Sequence, residues 1–155
     1  DSAGGNLAAA VALAARDRGG PRIACQALIY PTLTTDLSLP SYRINGAAPG
    51  LTTASMELYW RWYLPGGSHT ANPYAAPLLA QDLAGLPPTL IHTAEFDPLH
   101  DDGVRYAERL GAAGVAVEYR SAARMVHGFL RARFQGPATA AEFAVITDFF
   151  RRRLA

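Results

Sequence analysis

The reactive groups of this chain are few, and three of them stand where the local sequence would expose them. Ser2 lies in the string Asp1-Ser2-Ala3-Gly4-Gly5-Asn6. With one more glycine in front, this is the Gly-x-Ser-x-Gly turn that lifts a serine out of a strand and onto a helix. Such a turn strains the serine backbone so that the hydroxyl stands clear, and it needs small neighbours where strand and helix nearly touch. Ala3 and Gly4 supply that smallness, and the Ala3 backbone N–H is a candidate oxyanion donor. The same string also reads as a polar cap followed by small residues opening a helix. The two readings separate downstream, because a serine nucleophile needs a base and the base needs an orienting carboxylate. Asp97 and His127 follow in the order serine, acid, histidine, each just after a strand-like run.

The elements that must position these groups are legible from periodicity. Residues 4–18 recur in apolar positions at steps of three and four, and Gly19-Gly20-Pro21 ends that helix. Residues 23–30 are almost continuously apolar, which predicts a strand of a parallel sheet covered on both faces. Residues 31–51 carry Pro31, Pro40, Gly46, Pro49 and Gly50 and predict a long irregular excursion. A helix follows from Thr52 or Thr53, dense in aromatics (Tyr59, Trp60, Trp62, Tyr63), which either pack between layers or line a pocket. Residues 65–88 read as loop, with a short helical turn near Pro77. Residues 89–95 form a strand, and Asp97-Pro98 beyond it also suits a helix cap with proline at the first helical position. Next come a helix at 98–113, with Leu99, Val104, Ala107 and Leu110 facing inward, and an outer strand at 115–120. A loop at 121–126 leads to His127, and an amphipathic helix runs from 139 to 154. Asp101 and Asp102 fit the positive end of the helix that follows Asp97 and are assigned no chemistry.

At 155 residues the chain can bury one core, and with half its residues hydrophobic and 17% charged its composition is that of a globular domain. A net charge of +1 gives no electrostatic footprint for nucleic acid or an anionic membrane surface. All fourteen basic residues are arginine. Cys25 is the only cysteine, which excludes an internal disulfide and favours a reducing, cytoplasmic setting. There is no stretch long enough to span a membrane, no metal-ligand spacing and no repeat, and the reading calls for no cofactor.

The ordered set Asp-Ser-Ala-Gly-Gly-Asn-Leu-Ala, Gly85-Leu-Pro-Pro, Thr93-Ala-Glu-Phe-Asp-Pro-Leu, Ala113-Gly-Val and Met125-Val-His-Gly-Phe closely resembles the hormone-sensitive lipase family of α/β-hydrolases, in the subgroup with aspartate before the nucleophile. The resemblance implies the C-terminal part of that fold: three parallel strands with helices on both faces, and a cap-like insertion at about 36–75. It implies Ser2 as nucleophile, Asp97 as acid, His127 as base and Ala3 in the oxyanion hole, acting on short- to medium-chain esters. The chain departs from the family at His100, where arginine is frequent, at Asp102, where glutamate is frequent, and at Ala123-Arg124, where the approach to the histidine is usually small or contains glycine. The family's His-Gly-Gly-Gly segment lies upstream of the elbow and is not among these residues. On that reading the strand at 23–30 lacks a neighbour, and the 155 residues alone are expected to associate and to be inactive.

Two other readings stay open. One is a ligand-binding homologue that keeps the fold, as in a plant hormone receptor lacking the catalytic histidine; His127 argues against it. The other is a serine peptidase of the prolyl oligopeptidase type, against which stand the insertion between the first two strands and the Asp-Pro-Leu sequence. Oligomeric state cannot be read from the motifs.

Overall fold

Two apolar runs become neighbouring strands of one parallel sheet. The computed structural model describes residues 1–67 and 69–155; Ser68, within the loop expected at 65–88, lies outside the described residues. Helix α1 (Ala3–Asp17) leads to strand β1 (Gln26–Ile29), a short helix α2 (Pro40–Ile44) and the aromatic helix α3 (Thr53–Tyr63). Strand β2 (Thr89–Phe96), helix α4 (His100–Ala112), strand β3 (Val117–Val126) and helix α5 (Pro137–Leu154) follow. The strand order is β1-β2-β3, all parallel, so β2 is central. Its first six residues are buried, as an interior strand requires.

The pleat sorts the side chains into two cores. Leu28 and Ile91 face α1 and α4, meeting Ala9, Ala12, Leu13, Tyr106 and Leu110. Ile29, Leu90 and Ala94 face the other way, meeting Phe129 and, from α5, Ile146 and Phe149. Helices thus cover both faces. A third cluster joins the segment between β1 and β2 to the sheet's C-terminal end: Leu39, Tyr42, Leu51, Met56, Trp60 and Leu64 gather around Leu99.

Several expected boundaries shift, each for a tertiary reason. The strand expected at 23–30 is regular only over Gln26–Ile29, because its partner begins at Thr89 beyond Pro87-Pro88. The excursion at 31–51 contains α2, whose Ser41 is held by the Asp101 carboxylate and the Pro98 carbonyl (2.9 and 2.6 Å). Residues 121–126 are strand rather than loop. Ser121 and Ala122 pair with Thr93 and Ala94, and the register then jumps to Phe96 opposite Val126. In α4 the fully buried residues are Asp102, Gly103, Tyr106 and Leu110; Ala107 packs partly buried against the same core, as expected, whereas Val104 is only half-buried and outside it. The tight approach at the elbow falls on Gly5, where a Cβ would lie 3.0 Å from Pro31 Cβ, whereas a Cβ on Gly4 would meet open space.

Candidate active site

Strand ends and helix starts bring the three reactive groups together. Ser2 precedes α1 with φ 51° and ψ −122°, a conformation that only surrounding structure can hold a serine in. Its backbone N–H donates to the Ile29 carbonyl at the end of β1 (2.9 Å). Its hydroxyl lies 3.0 Å from His127 Nε2, and His127 Nδ1 lies 2.7 Å from Asp97 Oδ2. Residues 125 apart in sequence are therefore in hydrogen-bond contact. Asp97 is fully buried, and the imidazole is nearly so.

The two oxygens of Asp97 have different partners, and the helix-cap role expected of it passes to Leu99. Oδ1 accepts the Leu99 N–H (2.9 Å), turning the chain into α4, while Oδ2 takes the imidazole N–H. Helix α4 starts at His100 with Leu99 at its cap position, so Asp97 steadies the turn before the helix without being its cap residue. Asn45, at the end of α2, donates its side-chain N–H to the Asp97 carbonyl (3.2 Å). On the other side Gly50 (φ 94°) lies against His127: a Cβ there would sit 2.6 Å from the His127 carbonyl oxygen. Residues 40–50 thus brace both the acid turn and the base loop. No local pattern in the sequence signals Asn45 or Gly50, because both contacts are long-range.

Helix α1 makes its first backbone bond from Gly5 N to the Asp1 carbonyl, so the Ala3 amide precedes the helical ladder, at the positive end of the helix beside Ser2. A cavity of about 290 Å³ opens beside Ser2 and Ala3 under Leu51, Tyr59, Trp60 and Tyr63. The aromatic helix therefore does both things its composition suggests. Met56 and Trp60 are buried in the cluster around Leu99, and Tyr59 and Tyr63 line the cavity.

The departures from the family pattern can now be placed. Arg124 sits in the β3 bulge with φ 62°, a left-handed conformation that glycine adopts without strain, and its N–H donates to the Glu95 carboxylate (2.6 Å). His100 Nδ1 contacts the Ala94 carbonyl (2.9 Å). Asp102 is completely buried; its Oδ2 accepts the Leu33 and Thr34 N–H groups (2.7 and 3.2 Å), pinning the chain that leaves β1. Burial pushes this carboxyl up to about 8, only partly offset by those donors. Among the described residues no group of three His, Cys, Asp or Glu side chains gathers as a metal site.

Comparison with known proteins agrees with this architecture. A family model described as alpha/beta hydrolase fold matches residues 1–131. Over 143 residues the chain is 48% identical to carboxylesterase NlhH of Mycobacterium tuberculosis, covering 90% of this chain and 45% of that protein. The structure of a bacterial heroin esterase superposes with a TM-score of 0.93 at 39% identity, covering 99% of this chain and 50% of its own. Carboxyl esterase 2 of the fungus Tuber melanosporum gives a TM-score of 0.94 at 30% identity, covering 100% of this chain and 53% of its own. The chain spans about half the length of the relatives it matches. No helix of the described residues is long and apolar enough to cross a membrane. On the matched family model and these similarities, as the motifs led us to expect, the chain belongs to the α/β-hydrolase fold family, in its hormone-sensitive-lipase-like branch.

Proposed function

We propose that this chain carries the nucleophile, acid and base of a serine carboxylic ester hydrolase. The observation that carries the reading is the contact sequence Ser2 Oγ, His127 Nε2, His127 Nδ1, Asp97 Oδ2, at 3.0 and 2.7 Å, beside an apolar cavity. Ser2 attacks the ester carbonyl while His127 takes its proton. The tetrahedral oxyanion faces the Ala3 N–H, and His127 returns the proton to the departing alcohol, leaving an acyl-serine that water hydrolyses by the same steps. Asp97 holds the imidazolium upright throughout. The carboxylesterase and esterase names of the relatives support the same reaction class. A receptor-like reading has no need of a histidine in reach of the serine, and a peptidase reading is tested directly by a peptide panel.

The substrate class we infer is small-molecule esters with short or medium acyl chains. At about 290 Å³ the cavity lies at the small end of ligand pockets, and Tyr59, Trp60 and Tyr63 of the cap-like insertion (about 36–75) close it. A series of nitrophenyl esters from acetate to palmitate, run on the full-length protein beside a peptide panel, tests this. kcat/KM should peak at short or medium chains and the peptides should not turn over; a maximum on emulsified long-chain substrate contradicts it. The 155-residue chain expressed alone should self-associate and show no turnover, because among the described residues only one edge of the apolar strand β1 is paired by another strand; light scattering and the same ester assay check this. A cytoplasmic location fits the single cysteine.

A further inference from the structure

Among the described residues only three non-glycine residues have positive φ: Ser2, Tyr30 and Arg124. Ser2 is itself in the serine–histidine contact, Tyr30 packs on that histidine, and Arg124 lies three residues before it in the chain; strain of this kind persists only where the surroundings enforce it. Ser2 and the Arg124 bulge are accounted for above. Tyr30 is not. Its φ is 35°, and it precedes Pro31, a position that ordinarily favours extended backbone. Its N–H donates to the His92 carbonyl of β2 (2.6 Å), and only 1% of its surface is exposed. From this fixed point the side chain reaches two groups. The hydroxyl donates to Asp1 Oδ2 (3.2 Å), on the residue before the nucleophile. The ring packs on the imidazole of His127, with centroids 4.6 Å apart, and is backed edge-on by Phe129 at 5.2 Å.

We infer that Tyr30 is a positioning residue that holds nucleophile and base in register, its hydroxyl anchoring the elbow through Asp1 and its ring fixing the plane of the His127 imidazole. This rests on the ester-hydrolase reading only in supposing that Ser2 is activated. The two anchors of the elbow are adjacent: Ile29 holds the Ser2 amide, and Tyr30 holds the Asp1 side chain. The Ser2 hydroxyl is therefore located by Ile29, the last residue of β1, and Tyr30, the residue that follows it. Rotation of the imidazole about its side-chain bonds would part Nε2 from Ser2, and the Tyr30 ring fills the space it would turn into. Burial also raises the phenol's pKa, so the hydroxyl stays protonated and able to donate to the carboxylate.

The test is the rate at which a fluorophosphonate labels Ser2 in the full-length protein, resolved into kinact and KI, with Ser2→Ala as blank. Tyr30→Phe removes the hydroxyl and keeps the ring; it should lower kinact roughly tenfold at unchanged KI and unchanged thermal midpoint. Asp1→Ala should do the same. The double variant should lose about tenfold rather than a hundredfold, because one hydrogen bond is cut from either end. Tyr30→Leu should lose about a hundredfold by releasing the imidazole as well. Wild-type kinact in Tyr30→Phe, additive losses in the double variant, or a loss confined to KI overturns the assignment, and these hold even if Tyr30→Leu does not fold. If Ser2 labels but no ester turns over, the ester reading fails while the Tyr30 assignment is still decided. A wild-type Ser2 that does not label overturns both.

Discussion

Among the described residues two histidines are paired with buried carboxylates, and only one of them faces a serine. On the C-terminal edge of the sheet His127 meets Asp97 at 2.7 Å; inside the sheet His92 of β2 meets Glu142 of α5 at 2.9 Å. Phe129 lies 5.2 Å from the His92 ring and 5.2 Å from Tyr30, which packs on His127, so the two pairs are ends of one aromatic stack. The difference is in the remaining partners. Glu142 also accepts from Nε and Nη2 of Arg120 (3.1 and 2.7 Å), so its charge is met before any reaction could use it. His92 is wholly buried, and its Nδ1 has no partner among the described residues. His127 instead offers its second nitrogen to Ser2 beside an open cavity. A histidine–carboxylate pair is thus no sign of catalysis by itself; the free nitrogen and what it touches decide.

The largest effect that separates the two pairs is on turnover. Ser2→Ala, His127→Ala and Asp97→Asn should each lower kcat by about four orders of magnitude, with combined variants little worse than single ones. His92→Phe should leave kcat within about twofold. A severe loss in His92→Phe with the fold intact would join the pairs into one working unit and break the comparison.

Stability should divide the other way. Glu142→Leu strands His92 Nε2 and frees Arg120, and, because that arginine is half exposed, we expect a cost of only about 2 kcal/mol, read from chemical denaturation, at wild-type kcat. Asp97→Asn, which keeps the Leu99 contact and the volume, should cost less stability than Glu142→Leu. The reverse ranking would make Asp97 the structural carboxylate.

The smallest effect is on pH dependence. Burial lowers the His92 pKa from its ordinary 6.5, and the Arg120 hydrogen bond lowers the Glu142 pKa from its ordinary 4.5. Below about pH 6.5 the unfolded chain takes up a proton at His92 that the folded chain refuses, so the contribution of this pair falls with acidification; below about pH 4.5 Glu142 adds to the fall. Asp102, raised to about 8, works in the opposite sense over the same range, because there the folded chain holds the extra proton. The His92 contribution is therefore read as a difference: between neutrality and pH 5 the thermal midpoint of His92→Phe should rise relative to that of wild type. An equal change in both would remove His92 from the account.

Much of the site was readable from residue types in order. A serine among glycines, an aspartate before proline and a histidine before glycine each declare their turn chemistry within a few residues, because Gly and Pro act on their own backbone angles. Near-continuous apolarity marked β1 as a strand covered on both faces for the same local reason. The loop expected at 121–126 failed because the pairing of Ser121 and Ala122 with β2 is set by register, not by their own propensity.

By itself, then, the sequence determined which groups are available for chemistry and the elements they end, since both follow from local backbone preference and hydrophobic period. The tertiary structure alone decided that Asp97 divides its oxygens between Leu99 and His127, and that Asp102 is a buried pin on Leu33 and Thr34, 69 and 68 residues away, rather than a solvated charge at a helix start. It also decided that Tyr30 turns back, against the extended preference of a residue before proline, to lie between Asp1 and His127. Each of these is a contact whose partner lies on another element. Its energy outweighs the local preference only once the sheet has brought the two segments together, so no window of sequence contains it.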